Sequence, residues 1–454
     1  MRSNSLLYKP EDMFPNLRGE AEVDNLLNND AYKFLMMDFI LANETYKNTK
    51  VRWKMTVRNP QIKLADVIPQ ERLEEQLWMT QDAIEGITPA QASYLRGLTK
   101  TDRSPLLQED TIKYLENFRL PKYEVEKTPD GNYDITFEGN WPDSMMWEIV
   151  GLKLINTLYL SEYVKKEKIT DVEFTRMMNE TLGRLFNDIT TLRTSPDATF
   201  SEFGTRRAMS TNYQRLVNEI LAAELPGQYK GTSNVMFAME MWSSNPIGTN
   251  AHEMRMIPTA LVDHPDDIID TMYGVDRDWI SHHGSELGLL LPDTYWSSFY
   301  FDNCPKDIIR THRGTRFDSK DPMIWIPEYL EFLRKNGQDP LEKIWIPSDG
   351  LSAEKIVRYT NTFKDKIGIL THGMWTNLSN NTKGTWPRET EPLGPYGSMS
   401  VVVKPNAVWR EDRGEWVECV KLSDNPGKAM GWARIPLFKK TFGTDGMARQ
   451  NISV

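Results

Sequence analysis

Three aspartates in the second half of the chain, Asp293, Asp318 and Asp349, each come just after a short apolar segment that reads as a strand. In a βα barrel, the carboxyl ends of the parallel strands meet on one face, and enzymes of this fold place their active sites there. One such aspartate is more simply a helix N-cap. Three at equivalent points favour a functional site.

A second candidate is the segment 200–210, FSEFGTRRAMS, which reads as a strand that turns into a helix. Its Phe203 can stack on a flat heteroaromatic ring. The arginines Arg206 and Arg207 can hold a carboxylate or a phosphate through paired hydrogen bonds. For an isolated FGTRR, a core phenylalanine with two surface arginines would be the better interpretation. The segment alone therefore predicts no more than an anion pocket with an aromatic wall.

Six histidines and two cysteines complete the set of reactive side chains. His252 lies in PIGTNAHE (246–253), and a neutral imidazole is a competent nucleophile near neutral pH. Its neighbour Glu253 is a candidate to orient the ring, although adjacent residues of a helix do not face each other. His312 and His372 are secondary candidates. The pair His282–His283 reads as a polar loop without metal-ligand spacing. Cys304 has no obvious base partner, which argues against a nucleophile.

The elements that must position these residues change character along the chain. In the first third, residues 30–44 predict a helix, VRWKMTV (51–57) a strand, ERLEEQLWMTQDAIEG a helix that ends at Gly86, and YEVEKTPDGNYDITFEG a hairpin. From about residue 145, a long apolar helix precedes several strand–loop–helix units. Alternating strands and helices indicate parallel pairing.

The strand–loop–helix units contain the candidate residues. The first unit has a predicted strand at Phe200–Thr205 and a helix near 207–224. In the second, Leu287–Leu291 precedes Asp293, and in the third, residues 308–318 precede DPMIWIPEYLEFLRKNG. In the fourth, Lys343–Pro347 precedes a helix with Ser352 as its N-cap. Residues 379–398 are predicted to be a long surface loop. After it, GSMSVVVKP resumes as a strand, and a hairpin turning at Gly414 is expected to return to the first domain.

The composition excludes several classes of protein. The 454 residues are 39% hydrophobic and 26% charged, a globular balance that suggests two domains. The net charge of −10, without a long basic block, argues against nucleic acid as a partner. Two cysteines cannot build a disulfide framework. Together with the lack of a signal peptide or a long apolar run, they predict a cytoplasmic protein without membrane partners.

Taken in order, the motifs resemble those of the nicotinate phosphoribosyltransferases, type II phosphoribosyltransferases that make a mononucleotide. The similarity runs from about residue 24 to 430. Its motifs are NNDAYKFLM (28–36), MMWEIVGL (145–152), FSEFGTRR, GTSN (231–234), PIGTNAHE, TRFDSKDP (315–322), SDGLS (348–352) and KLSDNPGK (421–428). Several motifs in one order are far more specific than any one of them.

The resemblance implies an α/β fold with an irregular (β/α) barrel formed by residues 146–399. It also implies a second, α+β domain formed by residues 1–145 plus about 400–454, which holds the base site. Members of the family work as homodimers with shared active sites. They transfer phosphoribose from phosphoribosyl pyrophosphate to nicotinate, with Mg²⁺ as cofactor and ATP as co-substrate.

Site residues follow from the resemblance motif by motif. At the base end, Tyr32 from the neighbouring subunit and Phe203 would stack on the two faces of the ring, with Arg206 near the base and the phosphates. The other implied contacts to substrates are Thr205, Thr232, Ser233, Arg316, Asp349, Gly350 and Gly373. Asp293 and Asp318 would act in catalysis and hold Mg²⁺. His252 would be the histidine that ATP phosphorylates.

Three features bear on the choice of substrate and on the phosphate site. The nicotinamide-using relatives carry aspartate in the turn that here reads GTSN, so Ser233 favours nicotinate by removing a repulsive charge. The usual DSGDP reads DSKDP here, with Lys320 in place of a glycine. The usual glycine-rich GIGTxLTN reads ILTHGMWTNL (369–378), leaving Gly373. Lys320 and His372 are therefore candidates to replace backbone contacts to the 5′-phosphate.

Three alternatives remain open at this point. A nicotinamide phosphoribosyltransferase of the same superfamily is the nearest. A catalytically silent barrel that binds a nucleotide or a protein is supported by the altered glycine loop alone. A glycoside hydrolase using two of the aspartates would leave FGTRR and KLSDNPGK without a purpose.

Overall fold

The structure is a computed structural model, and it describes residues 7–59, 61–241, 245–387 and 399–443. Its strands are β1 (Lys50–Val57), β2 (Tyr123–Lys127), β3 (Tyr133–Asn140), β4 (Thr199–Glu202), β5 (Tyr229–Thr232), β6 (Leu289–Leu290), β7 (Gly314–Phe317), β8 (Ile344–Pro347), β9 (Ile369–Met374), β10 (Val401–Arg410) and β11 (Glu415–Glu418).

The helices of the first half are α1 (Pro10–Met13), α2 (Ala31–Leu41), α3 (Glu44–Asn48), α4 (Gln70–Ala83), α5 (Pro89–Gly97), α6 (Glu109–Glu116), α7 (Trp141–Ser144), α8 (Trp147–Lys166), α9 (Asp171–Arg193) and α10 (Thr211–Glu224). Those of the second half are α11 (Val235–Glu240), α12 (Glu253–Ala260), α13 (Pro265–His283), α14 (Ser297–Asp302), α15 (Lys306–Thr311), α16 (Pro322–Lys335), α17 (Ala353–Phe363), α18 (Thr376–Ser379) and α19 (Ile435–Phe442).

Two separate sheets organise the fold. One is antiparallel, in the order β11-β10-β1-β3-β2, and the other has six strands in the order β5-β4-β9-β8-β7-β6, paired in parallel throughout. The α/β class and the parallel sheet are thus as predicted. Among the described strands, β5 and β6 do not pair with each other, so a closed barrel stays a prediction.

The antiparallel sheet joins distant parts of the chain. β10 pairs with β1 from Val51↔Val408 to Val57↔Val401, so the predicted return of the chain to its first domain is confirmed. The hairpin at Gly414, where φ is +65°, is also confirmed. The largest hydrophobic core contains side chains from both predicted domains, and α8 is buried along most of its length. The division into domains itself stays a prediction.

One predicted helix start is confirmed by its cap, whereas several predicted boundaries differ from the structure. Ser352 caps α17 by accepting a hydrogen bond from the Lys355 N–H, as predicted. The helix predicted to end at Gly86 ends at Ala83, and the helix expected near 207 begins at Thr211. Only the end of the segment 308–318 is a strand, because its first part forms α15.

Most of the predicted surface loop at 379–398 lies outside the residues that the structure describes, because residues 388–398 are not among them. Its described part, up to Pro387, is largely buried. Among the described residues, none of the helices combines the length and the hydrophobicity needed to cross a membrane.

Candidate active site

The carboxyl ends of three neighbouring parallel strands supply the carboxylates of the site. Asp293 follows β6, Asp318 follows β7 and Asp349 follows β8, and these strands are adjacent in the sheet. Asp318 and Asp349 line a cavity of about 290 Å³, and Asp293 lies behind it against His252. The predicted convergence of the three strand ends is therefore observed.

The cavity is strongly basic. Its walls contain six cationic side chains, Arg58, Arg206, Arg207, Lys404, Lys421 and Lys428. Burial lowers the pKa of Lys421 to about 8 although Asp293 opposes it, and burial together with the neighbouring arginines lowers the pKa of Arg207 to about 9. Clustered cations that destabilise one another in this way fit a ligand with several negative charges.

Lys428 connects two of the strand ends. Its Nζ donates to the backbone oxygen of Asp318 at 2.6 Å and to Oδ2 of Asp349 at 3.0 Å. Burial raises the pKa of Asp318, but the charges of Lys428 and Arg316 outweigh it and lower the pKa to about 2. Asp318 is therefore ionised at neutral pH. The motif KLSDNPGK thus contributes two lysines to the wall that faces the strand ends.

His252 lies at the start of α12 and lines the cavity. Its Nε2 is 2.9 Å from Oδ1 of Asp293, whose Oδ2 accepts a hydrogen bond from Ser319 at 2.7 Å. Burial lowers the pKa of His252 to about 4, although the charge of Asp293 opposes it. The ring is therefore neutral near pH 7. Donation of Nε2–H to the carboxylate then leaves a lone pair on Nδ1.

His252, Asp293 and Asp318 also bring one ligand-type atom each to within 4.8 Å of one another. Two of the three donors are carboxylate oxygens, the ligand type that Mg²⁺ prefers. The donor set therefore fits the magnesium predicted for Asp293 and Asp318.

Arg206 lines the cavity, whereas Phe203, which directly follows β4 beside β9, is not among the described residues that line it. The Phe203 N–H donates to the carbonyl of Met374 at 2.7 Å, and the guanidinium of Arg206 lies 3.8 Å from the centroid of the Trp375 ring. A methyl group at Gly373 would lie 3.4 Å from the Phe203 ring. Gly373 thus lies beside Phe203 and, like it, is not among the described residues that line the cavity.

Tyr32 is nearly buried in its own chain and is not among the described residues that line the cavity. Its hydroxyl donates to Glu148 at 3.2 Å, and its electrostatic neighbours include Asp30, Arg206 and Glu253 of the same chain. Stacking on a base in another subunit stays a prediction. Within one chain, Tyr32 lies on the side of the site where Arg206 is found.

Three predicted contact residues point into a buried polar network. The Ser233 hydroxyl donates to Asp30 at 2.7 Å, the Thr232 hydroxyl donates to Glu202 at 2.7 Å, and the Thr205 hydroxyl accepts from Gln214 at 3.1 Å. All three threonine and serine side chains are buried behind the cavity wall. They support the turn that holds Phe203 and Arg206.

The phosphate end differs from the sequence-based interpretation. The Lys320 ammonium pairs with both carboxylate oxygens of Glu328 at 2.6 Å, away from the described cavity lining. His372 is buried and donates Nδ1–H to the carbonyl of Thr199. The cavity wall after β9 is instead formed by Trp375, Thr376 and Asn377.

Of the other predicted contacts, Gly350 lines the cavity, at a φ of +58°. Arg316 lies behind the wall, donating from Nη1 to the carbonyl of Asn250 at 2.9 Å. Sequence reasoning missed Arg58 and Lys404. No local pattern distinguishes them from surface cations, because they reach the cavity through the pairing of β1 with β10.

The remaining reactive side chains lie outside the cavity. His282 and His283 lie in the last turn of α13, so the predicted polar loop is wrong. One ring nitrogen of each lies within 4.8 Å of a carboxylate oxygen of Asp38, a grouping that their sequence spacing did not indicate. His312 is buried and bonds to the Tyr329 hydroxyl. Burial raises the pKa of the Cys304 thiol, which argues against a nucleophile.

Two family models and several solved structures match the chain. A model described as the nicotinate phosphoribosyltransferase (NAPRTase) family matches residues 198–445, and one described as the N-terminal domain of that family matches residues 27–156.

Among solved structures, the chain is similar to a nicotinate phosphoribosyltransferase from Porphyromonas gingivalis, with a TM-score of 0.78 and 24% identity over 93% of this chain and 100% of the other. It is also similar to one from Vibrio cholerae, with a TM-score of 0.76 and 24% identity over 96% of each chain. These structures share the fold described above.

Proposed function

Since the chain belongs to the nicotinate phosphoribosyltransferase family, we propose that it transfers phosphoribose from phosphoribosyl pyrophosphate to nicotinate. The products are nicotinate mononucleotide and pyrophosphate. The observation that carries the proposal is the cavity at the strand ends, where six cations surround Asp318, Asp349 and His252. This arrangement suits a ligand that combines several phosphate charges with a polyhydroxylated sugar.

The cations would bind the phosphate groups, and the carboxylates of Asp318 and Asp349 would accept hydrogen bonds from ribose hydroxyls. The ring nitrogen of nicotinate attacks C1 of the ribose while the bond from C1 to the pyrophosphate oxygen breaks. Negative charge grows on the leaving group, and the fixed cations Lys421 and Lys428 stabilise it.

Asp293 and Asp318 would hold Mg²⁺, since their oxygens are the ligands it prefers and both carboxyl groups are ionised at neutral pH. Bound there, the metal supplies positive charge to the departing pyrophosphate. The side chain of Ser319 supports this role because its hydrogen bond fixes one oxygen of Asp293.

ATP coupling would proceed through His252. The lone pair on Nδ1 attacks the γ-phosphorus of ATP, a nitrogen–phosphorus bond forms, and the bond to the ADP oxygen breaks. Water later cleaves the phosphohistidine and releases phosphate. Asp293 supports this step by accepting the Nε2–H and stabilising the positive charge that the ring gains.

Nicotinate is the proposed base because the base end lacks an exposed carboxylate among its described residues. The carboxylate of Asp30 is buried and accepts a hydrogen bond from the Ser233 hydroxyl, so it is engaged within the protein. Arg206 supplies a positive charge on the same side of the site. Both features favour a carboxylate over an amide.

The experiment is to incubate the purified protein with phosphoribosyl pyrophosphate, Mg²⁺ and ATP, together with either nicotinate or nicotinamide, and to measure the mononucleotides by mass. We expect nicotinate mononucleotide, with a clear preference for the acid in kcat/KM. A preference for the amide would refute the assignment of the base. No mononucleotide from either base would refute the activity and favour the silent barrel.

A further inference from the structure

Charged side chains from four separate segments of the chain meet in one buried network behind the cavity. They are Lys33 from NNDAYKFLM, Glu148 from MMWEIVGL, Glu253 from PIGTNAHE and Lys404 from β10. Two lysines face two glutamates. The first three side chains are almost fully buried, and the ammonium group of Lys404 reaches the cavity wall.

Glu148 is the centre of this network. Its Oε2 accepts from Lys33 Nζ at 2.7 Å and from the Tyr32 hydroxyl at 3.2 Å, while its Oε1 accepts from Lys404 Nζ at 2.7 Å. Both oxygens are thus fully used by partners on α2 and β10. Glu148 itself lies in the first turn of α8, so one carboxylate joins three elements.

The network continues to the helix that begins beside His252. Lys33 Nζ donates to Glu253 Oε2 at 2.6 Å, and Glu253 is the first residue of α12. The carboxylate of Glu253 is therefore paired with Lys33 and does not orient the His252 ring. A chain of ion pairs thus runs from Lys404 through Glu148 and Lys33 to Glu253. Because Glu253 directly follows His252, this chain connects Lys404 to the start of α12.

We propose that Glu148 is a positioning residue that holds Lys404 in the cavity wall and, through Lys33 and Glu253, fixes this lysine relative to the start of α12. The inference rests on the proposed transfer, in which Lys404 contacts the phosphates of phosphoribosyl pyrophosphate. Without the carboxylate of Glu148, the Lys404 side chain would lose its proton more easily, and its ammonium group would no longer be held in one orientation.

The first test is Glu148→Gln, which keeps the shape of the side chain and removes its charge. We expect the KM for phosphoribosyl pyrophosphate to rise about tenfold, the effect of one charge-assisted hydrogen bond, with a much smaller change in kcat. Lys404→Met should raise the same KM, and the double variant should be no worse than the worse single variant. Additive effects of the two substitutions would overturn the proposal.

A pH profile separates positioning from a merely structural role. Lys404 faces Glu148, Arg206 and Lys33, and burial lowers its pKa while the charge of Glu148 opposes that lowering. In Glu148→Gln, Lys404 should lose its proton at lower pH, so the KM should begin to rise at a lower pH than in the wild type. Parallel profiles would contradict the proposal.

Two controls keep the test interpretable. Glu138→Gln removes a half-exposed partner of Arg52 on β3 and should leave the kinetics unchanged. If Glu148→Gln does not fold, Glu148→Asp replaces it. Its shorter side chain should raise the same KM by a smaller factor, and an unchanged KM would overturn the proposal.

Binding of inorganic pyrophosphate to each variant, measured by calorimetry without turnover, should weaken in step with the KM. This readout does not depend on the transfer reaction. A wild type that binds pyrophosphate but forms no mononucleotide would refute the proposed function alone. Equal pyrophosphate binding by the wild type and Glu148→Gln would refute the role of Glu148.

Discussion

At the scale of single residues, the pairing of His252 with Asp293 determines which chemistry the histidine can perform. An imidazole that donates Nε2–H to a buried carboxylate is held in one tautomer and in one ring orientation. With its pKa lowered to about 4 by burial, the ring keeps a lone pair in neutral solution. The proposed phosphorylation by ATP would use this lone pair, and Asp293 would stabilise the phosphorylated ring.

His252→Ala should abolish the stimulation of transfer by ATP while leaving slow transfer that does not depend on ATP. The cavity cations and carboxylates remain in that variant, so the phosphoribosyl chemistry keeps its stabilising charges. His264→Ala, at an exposed site, is the matched control. If ATP still stimulates His252→Ala, the phosphate acceptor is another residue.

The pH dependence of the ATP half-reaction follows from the same pKa. A histidine with its usual pKa of about 6.5 loses half of its neutral form at that pH. Because the pKa of His252 is lowered to about 4, its neutral form persists well below pH 6.5. We expect phosphohistidine formation, followed by transfer of ³²P, to stay constant between about pH 6 and 8. A half-maximal rate near pH 6.5 would contradict a buried neutral ring.

At the scale of elements, the turn from β4 to the helical segment at Thr205–Arg207 is so tight that only glycine fits at position 204. A methyl group there would lie 2.0 Å from Ser379 Oγ and 2.6 Å from Glu202 Oε1. The glycine of FGTRR thus lets the strand pack against α18. This close contact fixes the turn that contains Phe203 and the cavity residue Arg206.

Gly204→Ala should therefore lower the free energy of unfolding by about 2 kcal/mol, the usual cost of overpacking, and raise the KM for nicotinate. Gly183→Ala is the control, because a methyl group in that part of α9 would meet no atom within 4 Å. It should stabilise the protein by about 0.5 kcal/mol through helix propensity. Chemical unfolding of both variants measures the difference, and equal stabilities would argue against the tight turn.

The arrangement of strands and helices also explains which site residues could be predicted from the sequence. Asp293, Asp318 and Asp349 were found because each follows an apolar strand, and parallel strands align their carboxyl ends. Lys404 was missed because its place in the wall depends on β10 pairing with β1, which lies far away in the chain. Lys320 was expected at the phosphate, but Glu328, two turns into the next helix, pairs with it. Such partner choice depends on tertiary packing.

At the scale of the whole molecule, the cavity draws on both sheets. Arg58 and Lys404 come from the antiparallel sheet, and His252, Asp318 and Asp349 come from the part built around the parallel sheet. A homodimer with shared active sites remains the prediction from family resemblance. The cavity itself needs no second copy to bring these five side chains together.

Mixing two variants with different defects in ATP-coupled transfer, assayed at phosphoribosyl pyrophosphate below its KM, tests whether His252 and Lys404 of one site come from one chain. When His252→Ala and Lys404→Met are combined under conditions that exchange subunits, a site shared across an interface would regain one intact copy. A site built within one chain would regain none. We expect no recovery of ATP-coupled transfer in the mixture, measured against each variant alone. Recovery to about a quarter of wild-type activity, the statistical share of intact sites, would establish a shared site.

The pairing of β1 with β10 has a consequence for how the protein is made. During synthesis, β1 leaves the ribosome early and must wait for most of the chain before its neighbour in the sheet exists. Until then one of its edges has unpaired N–H and carbonyl groups that other strands can join. Lys404, Lys421 and Lys428 also arrive last, so an incomplete chain has the carboxylates without any of the three cavity lysines. The active site can therefore form only after nearly the whole chain has been synthesised.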